Sequence, residues 1–276
     1  VMAAEKTAST DAELVNAFNT AVTGDTIKLT DNIEHTGGKI LVGNGKDITL
    51  DLNGHSIVNK SEDDRSITIY NGTLTIKGKG TITHDFHQAI NVWGFEESSS
   101  TKKSVLNVGK DVTLTGLVGV GVFYDVKHGA YNTEVNFAGT IKTSSFGIST
   151  NGSILNDNGP VINVKSGANI TSENAAGIYN AGNGTVNIED GTTITGTTGV
   201  EIRAGILNVN GGTITGTAKE LKTKKNGNGS TSDGAGIAVI QHTTKLPIDV
   251  KINKGTIKGV EALFVNDTEE NGSEYF

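Results

Sequence analysis

Tyr70, Trp93 and Phe123 each stand near the end of a short alternating segment, "SITIY", "AINVW" and "VGVFY". The chain is only 5% aromatic and holds a single tryptophan, so three rings at equivalent places require a reason. Flat aromatic faces stack on the apolar faces of sugar rings, and polar side chains beside them fix orientation. Asp125, His128, Tyr131 and Arg203 are the polar residues expected beside the rings. The alternative expectation is that the segments 94–103 and 125–133 fold over the rings and make them a satellite core.

Other reactive groupings are sparse. Arg65 and Arg203 are the only arginines, Asp63 and Asp64 fall in a linker between short strands, and Glu201 has no aligned carboxylate on neighbouring segments. The stretch "HDFHQ" offers His84, Asp85 and His87 as a metal corner, although in a turn these read as solvated surface. His128 in "KHGAY" could act as a general base, but no second catalytic group accompanies it. No catalytic residues, metal ligands or cofactor are therefore expected.

The elements that must position the rings come from a repeat. Residues 191–217 say nearly the same thing twice, "GTTITGT" and then "GGTITGT". A three-part phrase recurs about eight times: an alternating apolar strand, a turn, a Thr-Ile-Thr-like strand, a turn, and a strand opening on Gly-Ile or Gly-Val. The last core residues of the first strands are Leu50, Ile76, Val108, Phe137, Val164, Ile188, Val209 and Ile252. Alternation buries one face of each strand, and a unit this short cannot bury that face alone. Stacked at about 4.8 Å, the units form a continuous column, so each phrase is one coil of a solenoid. Tyr70, Trp93, Phe123 and Arg203 then share the later outward position of the third strands.

The same alternation sets Thr81, Thr83, Thr113, Thr115, Thr193, Thr195, Thr213 and Thr215 on the outer face of the second strands. A Thr-x-Thr array of this kind suggests an ice-binding surface, but threonine is a good exposed strand residue and Lys142 and Lys258 interrupt the array. Asn107, Asn136, Asn163, Asn187 and Asn208 align on the first strands, where an amide ladder would stiffen the stack. The segment 217–234 reads as a flexible, exposed loop.

At the N-terminus, residues 10–24 predict an amphipathic helix with Thr10 or Asp11 as cap and Leu14, Val15, Phe18 and Val22 on one face. It would cover the first rung and protect an open sheet edge. Residues 1–9 are expected to be disordered or processed, 25–267 to form the solenoid, and 268–276 to be a tail after which the chain continues or is truncated. Among 276 residues, 37 are glycine, 2 proline and 35% hydrophobic, a composition suited to many short strands and tight turns. A net charge of −7 with no basic block disfavours nucleic acid, and no apolar run reaches the roughly 18 residues of a membrane span. Cysteine is absent, which excludes disulfides and thiol chemistry.

The helix running into "GDTIKLTDNI", the stretch "KDITLDLNGHSIV" and the recurring "GTITG" resemble the pectin-lyase-like right-handed parallel β-helices, especially those of secreted and wall-attached bacterial proteins. The resemblance spans residues 10–267 and implies an all-β, single-stranded right-handed parallel β-helix with an N-terminal capping helix. The superfamily includes polysaccharide lyases, glycoside hydrolases, carbohydrate-binding adhesins and structural stalks, so fold alone does not decide function. The expected reading is an exported, cell-surface adhesin module that binds a host or environmental glycan without catalysis, within a longer protein with neighbouring domains. A lyase or hydrolase acting on acidic polysaccharide, a stalk, and an ice-binding protein are the alternatives.

Overall fold

The computed structural model describes residues 2–94, 103–124, 133–152, 159–267 and 275–276. Among the described residues, seventeen strands form one sheet, nine a second, and two an antiparallel pair. The pairings that build the two large sheets are parallel and run from one phrase of the repeat to the next. The protein is thus all-β with long parallel sheets, an arrangement that fits a parallel β-solenoid.

Register follows the inward residues. Leu50 pairs with Ile76, Ile76 with Val108, Val108 with Phe137, Phe137 with Val164, Val164 with Ile188, Ile188 with Val209 and Val209 with Ile252. All but Ile252 are buried; Ile252, on the last such strand, is partly buried against the same core. A second inward row comprises Ile57, Ile82, Leu114, Ile141, Ile170, Ile194 and Ile214, all buried. Each such side chain contributes about 1.5–3 kcal/mol by leaving water. A one-residue slip would turn a whole row outward, which fixes the register.

The first and second strands of the phrase merge late in the chain. Gly205–Gly216 and Ile248–Lys258 each run through the corner as one continuous strand, with register shifts at Val209/Asn210 and Asn210/Thr213. Gly212, at φ 84°, sits at that corner in the left-handed region where a side chain would be strained. The turn expected between "ILNVN" and "TIT" is therefore a bend within a strand.

In the nine-stranded sheet the inward row runs Val42, Ile69, Val92, Val122, then Thr150 and Asn180, then Ile202 and Val239. The two polar members satisfy one another: Thr150 Oγ1 donates to Asn180 Oδ1 at 2.8 Å, and Asn180 Nδ2 donates to the carbonyls of Gly182 and Ala204. Buried polar groups tolerate such a position only when paired.

The capping helix spans Asp11–Thr20, shorter than the 10–24 expected, because the chain is already extended at Ala21. Thr10 caps it by accepting the Glu13 N–H, and Leu14 and Phe18 face the core. Burial opposes ionisation of Asp11, yet hydrogen bonds from His35, Thr36 and Gly37 outweigh it and hold its carboxyl below the usual range. These contacts fasten the helix to the first rungs. The expectation of disorder over residues 1–9 is corrected for Glu5–Ala8, which pairs in parallel with Thr26–Leu29. Its anchor is Asp25, whose carboxylate accepts the N–H groups of Ala4 and Val22.

Residues 217–234 also differ from the flexible loop expected. Lys222–Asn226 and Gly229–Asp233 form an antiparallel hairpin joined by Gly227 and Asn228. Among the described residues no helix is long and apolar enough to cross a membrane.

Candidate functional site

The outer face of the nine-stranded sheet carries the aromatic residues. Trp93 lies in direct register with Tyr70 on one neighbouring strand and Phe123 on the other. All three are half-buried. The Trp93 and Phe123 rings are 5.5 Å apart and tilted by 37°, and the Arg65 guanidinium carbon lies 4.2 Å from the Trp93 ring centroid. Arg65 was not foreseen as part of this face; a cation over the indole uses its electron-rich surface. The Phe123 ring folds back across Gly121, where a Cβ would sit 2.5 Å from one ring carbon.

Next to Phe123 a cleft of about 580 Å³ opens, lined by Phe146, Ser149, Asn151, Tyr179, Thr231 and His242 among others. Phe146 and Tyr179 stack with ring centroids 4.4 Å apart and 28° between planes. Neither residue was expected, because Tyr179 occupies the earlier outward position of its strand rather than the later one shared by Trp93 and Phe123. Small residues at that earlier position on the preceding rungs, Gly121 and Ser149, leave the space that the cleft fills.

Arg203 does not lie at the surface as its outward position predicts. It is fully buried, donating from Nη1 to Tyr179 Oη at 2.8 Å and from Nη2 to the Asn228 carbonyl. The hairpin covers it. Its position therefore holds the Tyr179 phenol in place from behind. Burial raises the Tyr179 phenol above its ordinary pKa despite the arginine, so it is a hydrogen-bond donor at neutral pH.

Glu201, one strand position before the inward Ile202, is buried as well. Its carboxylate accepts from Thr231 Oγ1 at 2.8 Å and from the Ser232 N–H at 2.9 Å. Burial pushes its carboxyl up, against the lowering effects of Thr231, Arg203 and Ser232. Glu201 and Arg203 together dock the hairpin on the sheet. A second fastening lies at the hairpin tip, where Gly229 bridges His242 and the Asn228 carbonyl accepts the Thr243 N–H. His242 Nδ1 accepts the Thr244 N–H at 3.1 Å, which places the proton of the neutral ring on Nε2. A Cβ at Gly152 would stand 2.4 Å from that nitrogen, so this wall of the cleft needs glycine there.

Asp125, His128 and Tyr131 lie outside the described residues, as does most of the segments 94–103 and 125–133. In "HDFHQ", His84 Nδ1 accepts the N–H groups of Phe86 and His87 and so holds a turn. Among the described residues no three His, Asp or Glu side chains are grouped to hold a metal ion. The threonine rows are in register, Thr81 with Thr113 and Thr193 with Thr213, but Lys142 and Lys258 take the places next to Thr115 and Thr215.

What the site offers chemically is a set of flat apolar faces, a buried-arginine-supported phenol donor, and amide, hydroxyl and imidazole groups at one end. Comparison with protein-family models, curated proteins and solved structures returns no match.

Proposed function

We propose that this chain is a non-catalytic carbohydrate-binding module, exported and displayed at the cell surface on a right-handed, pectin-lyase-like β-helix of about eight coils. Its ligand is a host or environmental glycan. The observation that carries this reading is the aromatic path on one sheet face: Tyr70, Trp93 and Phe123 in register, passing into the Phe146–Tyr179 stack beside a polar-walled cleft. Ring faces beside hydroxyl, amide and phenol groups match a sugar, which presents C–H bonds on its faces and hydroxyls at its rim. Arg203 acts behind this surface as a positioning residue for Tyr179. Export, surface display and neighbouring domains rest on the resemblance of "GDTIKLTDNI" and "GTITG" to wall-attached β-helices.

The test is a glycan array followed by isothermal titration of any ligand found, with Trp93→Ala as the first variant. The variant is expected to weaken binding several-fold, equivalent to about 0.5–1.5 kcal/mol for one stacking contact, with the β circular-dichroism signal retained. An array blank across neutral and acidic glycans would overturn the reading in favour of a structural stalk. Unchanged binding by Trp93→Ala would remove Trp93 from the site.

A further inference from the structure

We infer that the cleft receives the end of a glycan chain and not an internal stretch of one, an inference that rests on the carbohydrate-binding reading above. The outer face is half-exposed at Tyr70, Trp93, Phe123 and Tyr179, then closes abruptly. On the next strand Glu201 and Arg203 are covered, and beyond them Ala238 and Ile240 are fully buried. What covers the acid and the arginine is the hairpin, and its residues Asn228 and Thr231 form one wall of the cleft together with His242. A polymer running along the rungs from Tyr70 meets that wall after four strand spacings, roughly 19 Å at about 4.8 Å each.

The wall is fixed rather than draped. Thr231 and Ser232 hydrogen-bond to the Glu201 carboxylate, the Asn228 carbonyl accepts from both Arg203 and the Thr243 N–H, and Gly229 bridges His242. Displacing the hairpin would strip a buried carboxylate of its hydrogen bonds from Thr231 and Ser232 and a buried guanidinium of its bond to Asn228, a cost that weak contacts to a neutral sugar do not offset. Asn228, Thr231 and His242 line the cleft where a terminal ring would present the hydroxyl group that an internal ring uses for its linkage. A site built this way reads that hydroxyl, because a linked neighbour would collide with the wall.

The experiment uses the whole chain with short oligosaccharides of glucose, mannose and galacturonic acid and their parent polymers. Each oligosaccharide is offered intact, reduced at one end, or methylated at the other. For any series that binds, titration calorimetry is expected to give one protein molecule per chain at every length, and blocking one particular end to weaken binding roughly ten-fold or more. A number of bound protein molecules that grows with chain length, or equal binding of both blocked forms, would overturn the inference while leaving carbohydrate binding intact. No binding to any member of the series would instead remove the carbohydrate reading and this inference with it. Replacing residues 222–233 by a short Gly-Ser link should open the wall and let the number bound rise with polymer length. If that variant does not fold, the stoichiometry of the unaltered chain still decides.

Discussion

Asn163 donates from Nδ2 to Asn136 Oδ1 at 2.9 Å and accepts from Asn187 Nδ2 at 3.0 Å, so one amide joins three successive strands. The series extends from Asn107 to Asn208. Asn163→Ala breaks two of these bonds in the middle of the ladder and is expected to cost about 1–2 kcal/mol, since water reaches part of this face. A lowered urea midpoint would show it. A midpoint equal to that of the unaltered chain would mean the ladder is decorative.

Ile188 is fully buried between Val164 and Val209. Ile188→Asp places an unpaired carboxylate in a dry column, at a cost of several kcal/mol. Coils exchange contacts only with their neighbours, so the damage should centre on the strands at 161–164 and 205–216. Hydrogen exchange by mass spectrometry would locate it; uniform protection across the chain would contradict the core assignment.

Gly121 gives the Phe123 ring its resting place. Gly121→Ala puts a methyl group into that ring and should rotate it away from the cleft while leaving the inward Val120 and Val122 undisturbed. The expected outcome is glycan binding weakened several-fold with an unchanged circular-dichroism spectrum. Full retention of binding would show that Phe123 contributes no stacking face.

The Glu201 carboxyl titrates above its ordinary range in the folded chain because it is buried. Between the ordinary value and the raised one, the folded state keeps a proton that the unfolded state has released. Stability from this group is therefore fully present below the usual carboxylate range and falls as pH rises through the raised folded value. Glu201→Gln keeps an oxygen for Thr231 and Ser232 and should flatten that fall. Thermal midpoints measured from about pH 4 to about pH 8 in both proteins would check it; identical slopes would place the titrating group elsewhere.

The column from Leu50 to Ile252 was legible because period-two alternation determines which residue points inward, and the longest apolar phrases align only one way. The helix cap was legible as Thr10 or Asp11, for the local reason that a side-chain oxygen there satisfies a first-turn N–H, and the structure decides for Thr10. The cleft was not. Phe146 and Tyr179 meet through contacts between different coils and different outward positions, which alternation within one strand does not rank. Arg203 reads as an exposed residue until the hairpin is placed over it. A signal for that hairpin was available in Gly227-Asn228, two turn-forming residues between polar runs that suit a tight connection.

Val92 and Trp93 are adjacent in sequence and point to opposite sides of one strand, the first into the dry interior and the second to the outer face. Cohesion and surface chemistry are thereby written in alternate letters of the same segment. Heritable variation at the outward letters can change the surface while the inward ones keep the stack closed, so this architecture separates the evolvability of its surface from the persistence of its frame.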